Sequence, residues 1–389
     1  MSRQSPLDIS KFARLFRSFS SAALAASLLL GCSDAAGPPA EEPPPAAEIP
    51  VGTLSFALTD ASRDEDATEA PDDKREILIT AFYPARERGA YPKAPCFRRP
   101  GEADLNAVAS GLPEGSLDTV CEGEALEGAE MAEGEPLPLL VFSHGYSSPI
   151  ALYTSWLEAL ARRGYIVLGV THPYSAGFTV LSSGAVATTP DPPLEPALFD
   201  AFVAKLSLDQ RAAVEALRVA LPDSPAGRLA ARWDQDRVGF LGHSIGGAAS
   251  ARTCLLDEGA GGCVNLDGTM ESNTAEQGLD RPFLLANAST SFTQDASRPL
   301  TWENLRAPGY RLDLPAALHN NFSDLAFWID RLDLPVEPAM MQIGAIDPAR
   351  AEEVTLAFLG AFFDRHVRGL DAPLLDGPSP HSEALWERR

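Results

Sequence analysis

The residues best suited to chemistry lie in one short stretch, GHSIG at positions 242–246. A G-x-S-x-G sequence between a strand and a helix is typical of a nucleophile elbow, a tight turn that lifts a serine hydroxyl clear of the backbone. An apolar run with β-branched and aromatic residues precedes the motif, and small residues follow it through Ala251. We therefore predict that Ser244 is a nucleophile on such a turn. The alternative is a chance match in a glycine-rich chain.

A serine hydroxyl is a poor nucleophile at neutral pH, so Ser244 needs a histidine base within hydrogen-bond reach. In the chain order of α/β-hydrolases the histidine comes last, which leaves His319, His366 and His381. We expect His366 on the exposed side of the last helix, His381 in a frayed tail, and His243 pointing away from Ser244. His319 follows a strand-like run and lies in a turn, so we predict it as the base. A structural loop histidine is the alternative.

The histidine in turn needs an orienting acid, and Asp267 is the best placed candidate. It ends an apolar run and is followed by Gly268. The carboxyl ends of parallel strands share one edge of a sheet, where open α/β sheets place their sites. The other acidic candidates end no strand so cleanly; they are Asp280, Asp295, Glu303 and Asp313.

An oxyanion hole needs two N–H donors near the nucleophile. One should be the backbone N–H of Ile245, directly after Ser244, and the other an N–H in the loop after an earlier strand. Tyr146 fits the second position. Because the donors are main-chain groups, the assignment depends on placement and not on side-chain type.

Alternating strands and helices must position these residues. Apolar runs at 137–146, 165–173, 237–242, 263–267 and 282–289 read as buried strands separated by helical segments. This pattern predicts one α/β domain over residues 51–389, an α/β-hydrolase fold with a mainly parallel central sheet flanked by helices.

Further elements complete this prediction. Two strands, joined by an acidic turn, should open the domain, and residues 86–136 should form an irregular acidic insert. Ser207 and Gln210 have the spacing of a capping box that opens a helix with Leu221 facing inward. Asp347 should begin the last helix.

The amino-terminal end has the pattern of an export signal. Residues 1–31 combine a basic start with an apolar segment too short to span a bilayer, and Leu-Leu-Gly precedes Cys32. This resembles the lipobox of bacterial lipoproteins, in which the cysteine is acylated and becomes the new amino terminus. An ordinary signal peptide with a coincidental cysteine is the alternative. Residues 32–50, rich in Pro, Ala and Glu, predict an extended tether.

The net charge and the number of cysteines limit the binding partners and covalent links that the chain can have. Removal of the signal takes away four basic and one acidic residue, which moves the formal net charge from -23 to -26 and argues against nucleic acid. Four cysteines then remain, and an even number in an exported chain suggests two disulfides. The local pairing among three possibilities is Cys96 with Cys121 and Cys254 with Cys263. No pair has C-x-x-C spacing, and we expect neither a metal nor a cofactor.

Four motifs, VFSHGY, GHSIGG, NLDG and HNNFSD, occur in this order. Together they resemble the platelet-activating-factor acetylhydrolase family, the secreted, calcium-independent group that includes lipoprotein-associated phospholipase A2. The resemblance spans residues 51–324 and is most specific at HNNFSD, where the family has a similar His-x-Asn-Phe-x-Asp run. It implies the same fold and the same residues: a Ser244, Asp267 and His319 triad, with Tyr146 and Ile245 as oxyanion donors.

These observations predict an exported carboxylic ester hydrolase, lipid-anchored through Cys32 to the bacterial cell envelope at its outer membrane, that works through an acyl-enzyme on Ser244. The resemblance implies short-acyl or oxidised phospholipid esters as substrates. The segment 174–196, which would shape the acyl pocket, departs from the family, and bacterial relatives look like general carboxylesterases. Two alternatives therefore remain: a carboxylesterase, lipase or polyester hydrolase of non-phospholipid esters, and a pseudo-hydrolase that binds a ligand without turnover.

Overall fold

A ten-stranded sheet forms the centre of the described part of the molecule. The computed structural model describes residues 49–389 apart from positions 71, 87–88, 122, 193–194 and 336. The predicted signal sequence, Cys32 and nearly all of the tether lie outside the described residues. In the described part of the chain, no helix combines the length and apolar character that crossing a membrane would require.

The strands are β1 (Val51–Asp64), β2 (Lys74–Pro84), β3 (Leu126–Glu127), β4 (Leu137–Ser143), β5 (Ile166–Thr171), β6 (Phe178–Val180), β7 (Val186–Thr188), β8 (Trp233–His243), β9 (Ala260–Leu266), β10 (Phe283–Ala288), β11 (Gly309–Leu314) and β12 (Leu385–Arg388). The helices are α1 (Glu102–Ala109), α2 (Ser116–Val120), α3 (Thr154–Arg162), α4 (Pro196–Arg218), α5 (Pro225–Ala230), α6 (Ile245–Leu256), α7 (Ser272–Gln277), α8 (Ser291–Gln294), α9 (Ser297–Asn304), α10 (Leu325–Arg331) and α11 (Pro348–His366).

The strands of the large sheet lie in the order β12-β11-β10-β9-β8-β4-β5-β2-β1-β3, and the middle of the sheet is parallel, as predicted. Strands β5, β4, β8, β9, β10 and β11 pair in parallel, whereas β2 joins β5, β1 joins β2 and β12 joins β11 in antiparallel pairs. Strands β6 and β7 form a separate two-stranded hairpin. The predicted fold class, a mainly parallel sheet with flanking helices, is confirmed.

Alternate residues of the central strands face two apolar layers. In β4, Leu140 and Phe142 pack into one cluster, while Leu139 and Val141 pack into the other. Helices α3 and α11 cover the first face, and α4, α5 and α6 contribute to the second. Because side chains alternate across a strand, a strand buried on both faces must be apolar throughout. This is why the runs were readable from the sequence.

The predicted start of helix α4 is wrong. The helix begins at Pro196, so Ser207 and Gln210 lie in its middle and cap nothing. Their side chains instead form a buried polar network, in which Ser207 bonds to Thr253 at 2.9 Å. Leu221, predicted to face inward, is 76% exposed beyond the end of the helix. Ser207 and Gln210 have the spacing of a capping box, but both lie on the buried face of the helix.

The insert at 86–136 is more ordered than predicted. It contains α1, α2 and β3, and Leu117 and Val120 of α2 are buried in the main core. Both disulfides have the local pairing, Cys96 with Cys121 inside the insert and Cys254 with Cys263 between α6 and β9.

The end of the chain is also better anchored than expected. His366 is half-buried and bonds to the Tyr310 hydroxyl at 3.0 Å, and its burial lowers its pKa to about 4. His381 bonds to Arg350 at 3.0 Å, and the tail beyond it pairs with β11. The expected exposure of His366 and fraying at His381 are therefore wrong.

Candidate active site

Ser244 occupies the turn between β8 and α6, with φ 57° and ψ −127°. A non-glycine residue with positive φ is strained, and such strain is characteristic of functional turns. The flanking glycines explain how the turn closes. A Cβ on Gly242 would lie 2.4 Å from the carbonyl oxygen of Gly246, and one on Gly246 would lie 2.2 Å from that of Ser143. The predicted elbow geometry is therefore present.

Strand pairing brings Asp267 to the same edge of the sheet. The Ser244 N–H donates to the carbonyl oxygen of Leu266 at 2.8 Å, and Asp267 follows directly after that strand. The Asp267 N–H in turn donates to Ala286 of β10 at 2.8 Å. Both residues lie where parallel strands end, as the sequence predicted.

His319 begins a short 3₁₀-helix, His319–Phe322, and its Nδ1 lies 2.6 Å from Oδ2 of Asp267. The polar residues of the HNNFSD motif hold this turn. Asn321 accepts hydrogen bonds from the N–H groups of Leu318 and Gly344 at 2.8 and 2.7 Å. The motif thus fixes the backbone from which the imidazole extends.

Asp267 is held as a carboxylate. Burial alone would raise its pKa, but the Arg298 guanidinium and the hydrogen bond with His319 outweigh burial and hold the pKa well below its usual range. Arg298 donates to Oδ1 of Asp267 at 2.7 Å, and the Ala288 N–H donates to the same oxygen at 2.9 Å. Because an ionised carboxylate only accepts, Nδ1 of His319 carries the proton. In the neutral ring Nε2 is then free to accept one.

Nε2 of His319 is buried and has no hydrogen-bond partner among the described residues. The bond between acid and histidine is therefore formed, whereas none joins the histidine to Ser244. Hydrogen bonds between base and nucleophile are often long before substrate binds. The structure brings Ser244, Asp267 and His319 to one edge of the sheet, and this arrangement can support nucleophilic acyl transfer.

The two predicted oxyanion donors flank the elbow. Ile245 is the first residue of α6, where a backbone N–H has no acceptor within the helix and the helix dipole favours negative charge. Tyr146 follows Gly145, whose Cβ, if present, would lie 3.4 Å from Cβ of Ser244. The Tyr146 ring packs 5.6 Å from Phe202, and its hydroxyl donates to Pro190 at 2.6 Å.

Three of the four alternative acids form ion pairs with arginines. Asp280 pairs with Arg306 at the surface, Asp295 with Arg298, and Asp313 with Arg311. Sequence reasoning missed Arg298, which lies 31 positions after Asp267, and it missed the partners of His243. The His243 ring packs 4.4 Å from the His319 ring. No local pattern marks either contact.

A second set of Ser, His and Asp lies beneath the site. Ser143 Oγ is 2.9 Å from Nε2 of His172, and Nδ1 of His172 is 2.8 Å from Asp209. All three side chains are fully buried. Asp209 also receives Arg75 at 2.6 Å and Arg63 at 2.8 Å. Burial alone would raise the pKa of Asp209, but Arg75 and then His172 hold it well below its usual range. No group of three or more metal-binding side chains occurs in the ranges that the structure covers.

Comparisons with known proteins relate the chain to esterases. Residues 114–194 match the family model described as platelet-activating factor acetylhydrolase, isoform II. A probable 1-alkyl-2-acetylglycerophosphocholine esterase from Arthroderma benhamiae is 24% identical over 379 residues, covering 87% of this chain and 91% of the relative. The solved ferulic acid esterase from Streptomyces cinnamoneus is 33% identical with a TM-score of 0.73, covering 88% of this chain and 97% of that one.

The chain belongs to the same family as this ferulic acid esterase, and over residues 114–194 it is similar to platelet-activating factor acetylhydrolase isoform II. This acetylhydrolase-like protein is a carboxylic ester hydrolase, as predicted from the motifs. The family match covers the loop with Tyr146 and helix α3, and it ends shortly before α4.

Proposed function

We propose that this family member cleaves carboxylic esters through an acyl-enzyme formed on Ser244. The observation that carries the proposal is the 2.6 Å bond between Nδ1 of His319 and Asp267, at the edge of the sheet where the strained elbow presents Ser244. It supports a base in the required tautomer next to a raised nucleophile.

The proposed reaction has two steps. Nε2 of His319 takes the Ser244 proton as Oγ attacks the ester carbonyl carbon, and the N–H groups of Ile245 and Tyr146 bind the resulting oxyanion. The intermediate collapses, the alcohol leaves with the proton from His319, and the acyl group stays on Oγ. Water, deprotonated by His319, then attacks the acyl-enzyme and releases the acid and the free serine. Asp267 stabilises the imidazolium in both steps.

For substrates, we propose short-acyl or oxidised phospholipid esters, as the resemblance implies and as the name of the fungal relative supports. The rim beside the proposed oxyanion donors is apolar, because Phe199 and Phe202 of α4 pack against the hydrophobic cluster that contains Tyr146 and Ile245. Apolar side chains there suit an acyl group. A second candidate is an ester without a phosphate, such as a ferulic acid ester or a polyester, because the solved ferulic acid esterase is the 33% identical relative.

The nucleophile is tested with a fluorophosphonate probe. Ser244→Ala should abolish labelling and lower kcat by about four to six orders of magnitude, because the remaining groups cannot form an acyl-enzyme. Ser143→Ala is the matched control, since Ser143 is the serine of the second, buried set of Ser, His and Asp. Labelling that persists in Ser244→Ala but is lost in Ser143→Ala would overturn the assignment.

The substrate class is tested by turnover of nitrophenyl esters, short-chain phospholipids and a methyl ferulate series by the wild-type protein. A higher kcat/KM for the phospholipids supports the first candidate, and a higher value for ferulate supports the second. If the protein neither turns over any ester nor reacts with the probe, the non-catalytic alternative replaces both.

We also propose that Cys32 is lipidated and that the protein is exported and held at the outer membrane of the cell envelope. The support is the basic and apolar pattern of residues 1–31 and the Leu-Leu-Gly-Cys sequence. Two acyl chains would suffice for stable attachment, since each buried methylene contributes about 0.8 kcal/mol.

A further inference from the structure

Tyr153 and His243 form a buried hydrogen-bonded pair next to the elbow. The Tyr153 hydroxyl lies 2.9 Å from Nδ1 of His243, and Nε2 of His243 lies 3.0 Å from the backbone carbonyl oxygen of His319. The N–H of Gly145 donates to the same Tyr153 oxygen at 3.0 Å. Two side chains thus connect three segments: the loop with Tyr146, the elbow and the histidine turn.

The donor and the acceptor of each of these three hydrogen bonds can be assigned. A carbonyl oxygen only accepts, so Nε2 of His243 must carry a hydrogen and donate it to His319. Burial, reinforced by nearby His319, lowers the pKa of His243 well below its usual value, so the ring is neutral and Nδ1 accepts. Tyr153 must therefore donate to Nδ1, and its oxygen lone pair accepts the Gly145 N–H. One arrangement of hydrogens therefore satisfies all three hydrogen bonds.

We propose that Tyr153 and His243 are positioning residues for ester cleavage, which hold the Gly145–Tyr146 loop and the His319 turn in register with Ser244. The inference rests on the proposed function, because it concerns the same site. The bond to Gly145 fixes the peptide unit next to the proposed Tyr146 donor. The bond to the His319 carbonyl, with the His243 ring packed 4.4 Å from the His319 ring, restricts the proposed base.

The close packing around Gly145 supports a role beyond filling the core. A Cβ at Gly145 would lie 3.1 Å from both Nδ1 of His243 and the Tyr153 hydroxyl, and 3.4 Å from Cβ of Ser244. The pair therefore lies directly against the backbone that faces the nucleophile. Donors and bases act only from well-defined positions, and a misplacement of about 1 Å can cost about 100-fold in rate.

The first test is Tyr153→Phe, which keeps the ring and its packing 4.8 Å from Phe142 but removes the hydroxyl. We expect kcat for a nitrophenyl ester to fall about 10- to 100-fold while KM stays within about threefold, because the loss concerns the transition state. Binding of phenylboronic acid, whose serine adduct places an oxygen on the oxyanion donors, should weaken by a similar factor.

Tyr310→Phe is the matched control, because Tyr310 is also a buried tyrosine whose hydroxyl bonds to a histidine, His366 at 3.0 Å. It lies near the amino end of β11, away from the edge with Ser244. It should leave kcat, KM and phenylboronic acid binding unchanged. A Tyr153→Phe variant with kcat within about threefold of wild type, or with the loss only in KM, overturns the inference.

A second pair of variants covers the case in which Tyr153→Phe does not fold. His243→Gln keeps one donor and one acceptor on the side chain, whereas His243→Leu keeps neither. We expect His243→Gln to retain at least about tenfold more kcat than His243→Leu. Equal activities would overturn the inference. The Tyr153 and His243 variants test only the positioning role. The proposed function itself is tested separately by Ser244→Ala.

Discussion

At the residue scale, the carboxylate of Asp267 depends on a partner far away in the sequence. It accepts hydrogen bonds from His319, Arg298 and the Ala288 N–H, and Arg298 also donates to the Asp267 carbonyl oxygen at 2.8 Å. A further bond from Arg298 to Asn287, at 2.9 Å, holds the guanidinium in place. One arginine therefore neutralises a buried charge and orients the acid of the proposed triad.

Arg298→Met should destabilise the fold, because it leaves a buried carboxylate with one cation fewer. Removal of one partner from a buried ion pair costs about 3–5 kcal/mol. The pKa of Asp267 is lower in the folded chain than its unfolded value near 3.9, so this stabilisation is present above that value and is lost as pH falls towards the folded pKa. The difference in unfolding free energy between variant and wild type should therefore be large at pH 7 and shrink below about pH 4.

Urea unfolding at pH 7 and pH 3 measures this difference. Arg306→Met is the control, because the pair of Arg306 with Asp280 is fully exposed and should contribute little. If the two variants are equally stable at pH 7, the stabilising role of Arg298 is wrong.

At the element scale, the insert is joined to the core at a point close to the site. Cys96 bonds to Cys121, and the Phe97 ring lies 6.2 Å from the Trp328 ring of α10. Glu158 of α3 accepts the N–H groups of Glu124 and Ala125, each at 2.8 Å. Tyr153 immediately precedes α3, so the insert supports the segment that carries the proposed positioning residue.

The double variant Cys96→Ala, Cys121→Ala should lower the free energy of unfolding by about 3 kcal/mol, because a 25-residue loop in the unfolded chain is no longer closed. Limited proteolysis should then cut within 86–136 before the rest of the domain. The variant Cys254→Ala, Cys263→Ala serves as the comparison. The Cys254–Cys263 disulfide closes a loop of only nine positions, and its loss should not expose the insert. Identical cleavage patterns for the two variants would contradict this view.

At the scale of the whole molecule, sequence analysis captured what is local or periodic. The apolar strands, the elbow at Ser244 and the acid at the end of β9 each have a signature within a few residues. Arg298, Tyr153 and His243 have none, because their roles come from contacts between segments 31, 90 and 76 positions apart. The predicted start of helix α4 was wrong for the opposite reason. Ser207 and Gln210 have the local spacing of a capping box, but they belong to a buried polar network in the middle of the helix.

The proposed attachment also belongs to the whole molecule. Wild-type protein expressed in a bacterial host should enter the detergent phase in Triton X-114, whereas Cys32→Ser should stay in the aqueous phase. The acyl chains, and not the acidic folded body, would supply the membrane affinity. Ser33→Ala is the control and should partition like wild type. Mass spectrometry of the mature protein should find Cys32 at the amino terminus, and any other start contradicts the proposal.

The buried set of Ser143, His172 and Asp209 resembles a catalytic triad in its distances but lacks a ring nitrogen that is free to act as a base. By distances alone it is the more complete of the two, because its serine and histidine are 2.9 Å apart, whereas Ser244 and His319 are not bonded. Yet both nitrogens of His172 are occupied, and Gln210 also donates to Ser143 at 2.8 Å. A saturated histidine cannot accept a proton from an arriving reactant. In this fold the useful search criterion is a buried histidine with an unpartnered ring nitrogen, and among the described residues only His319 meets it.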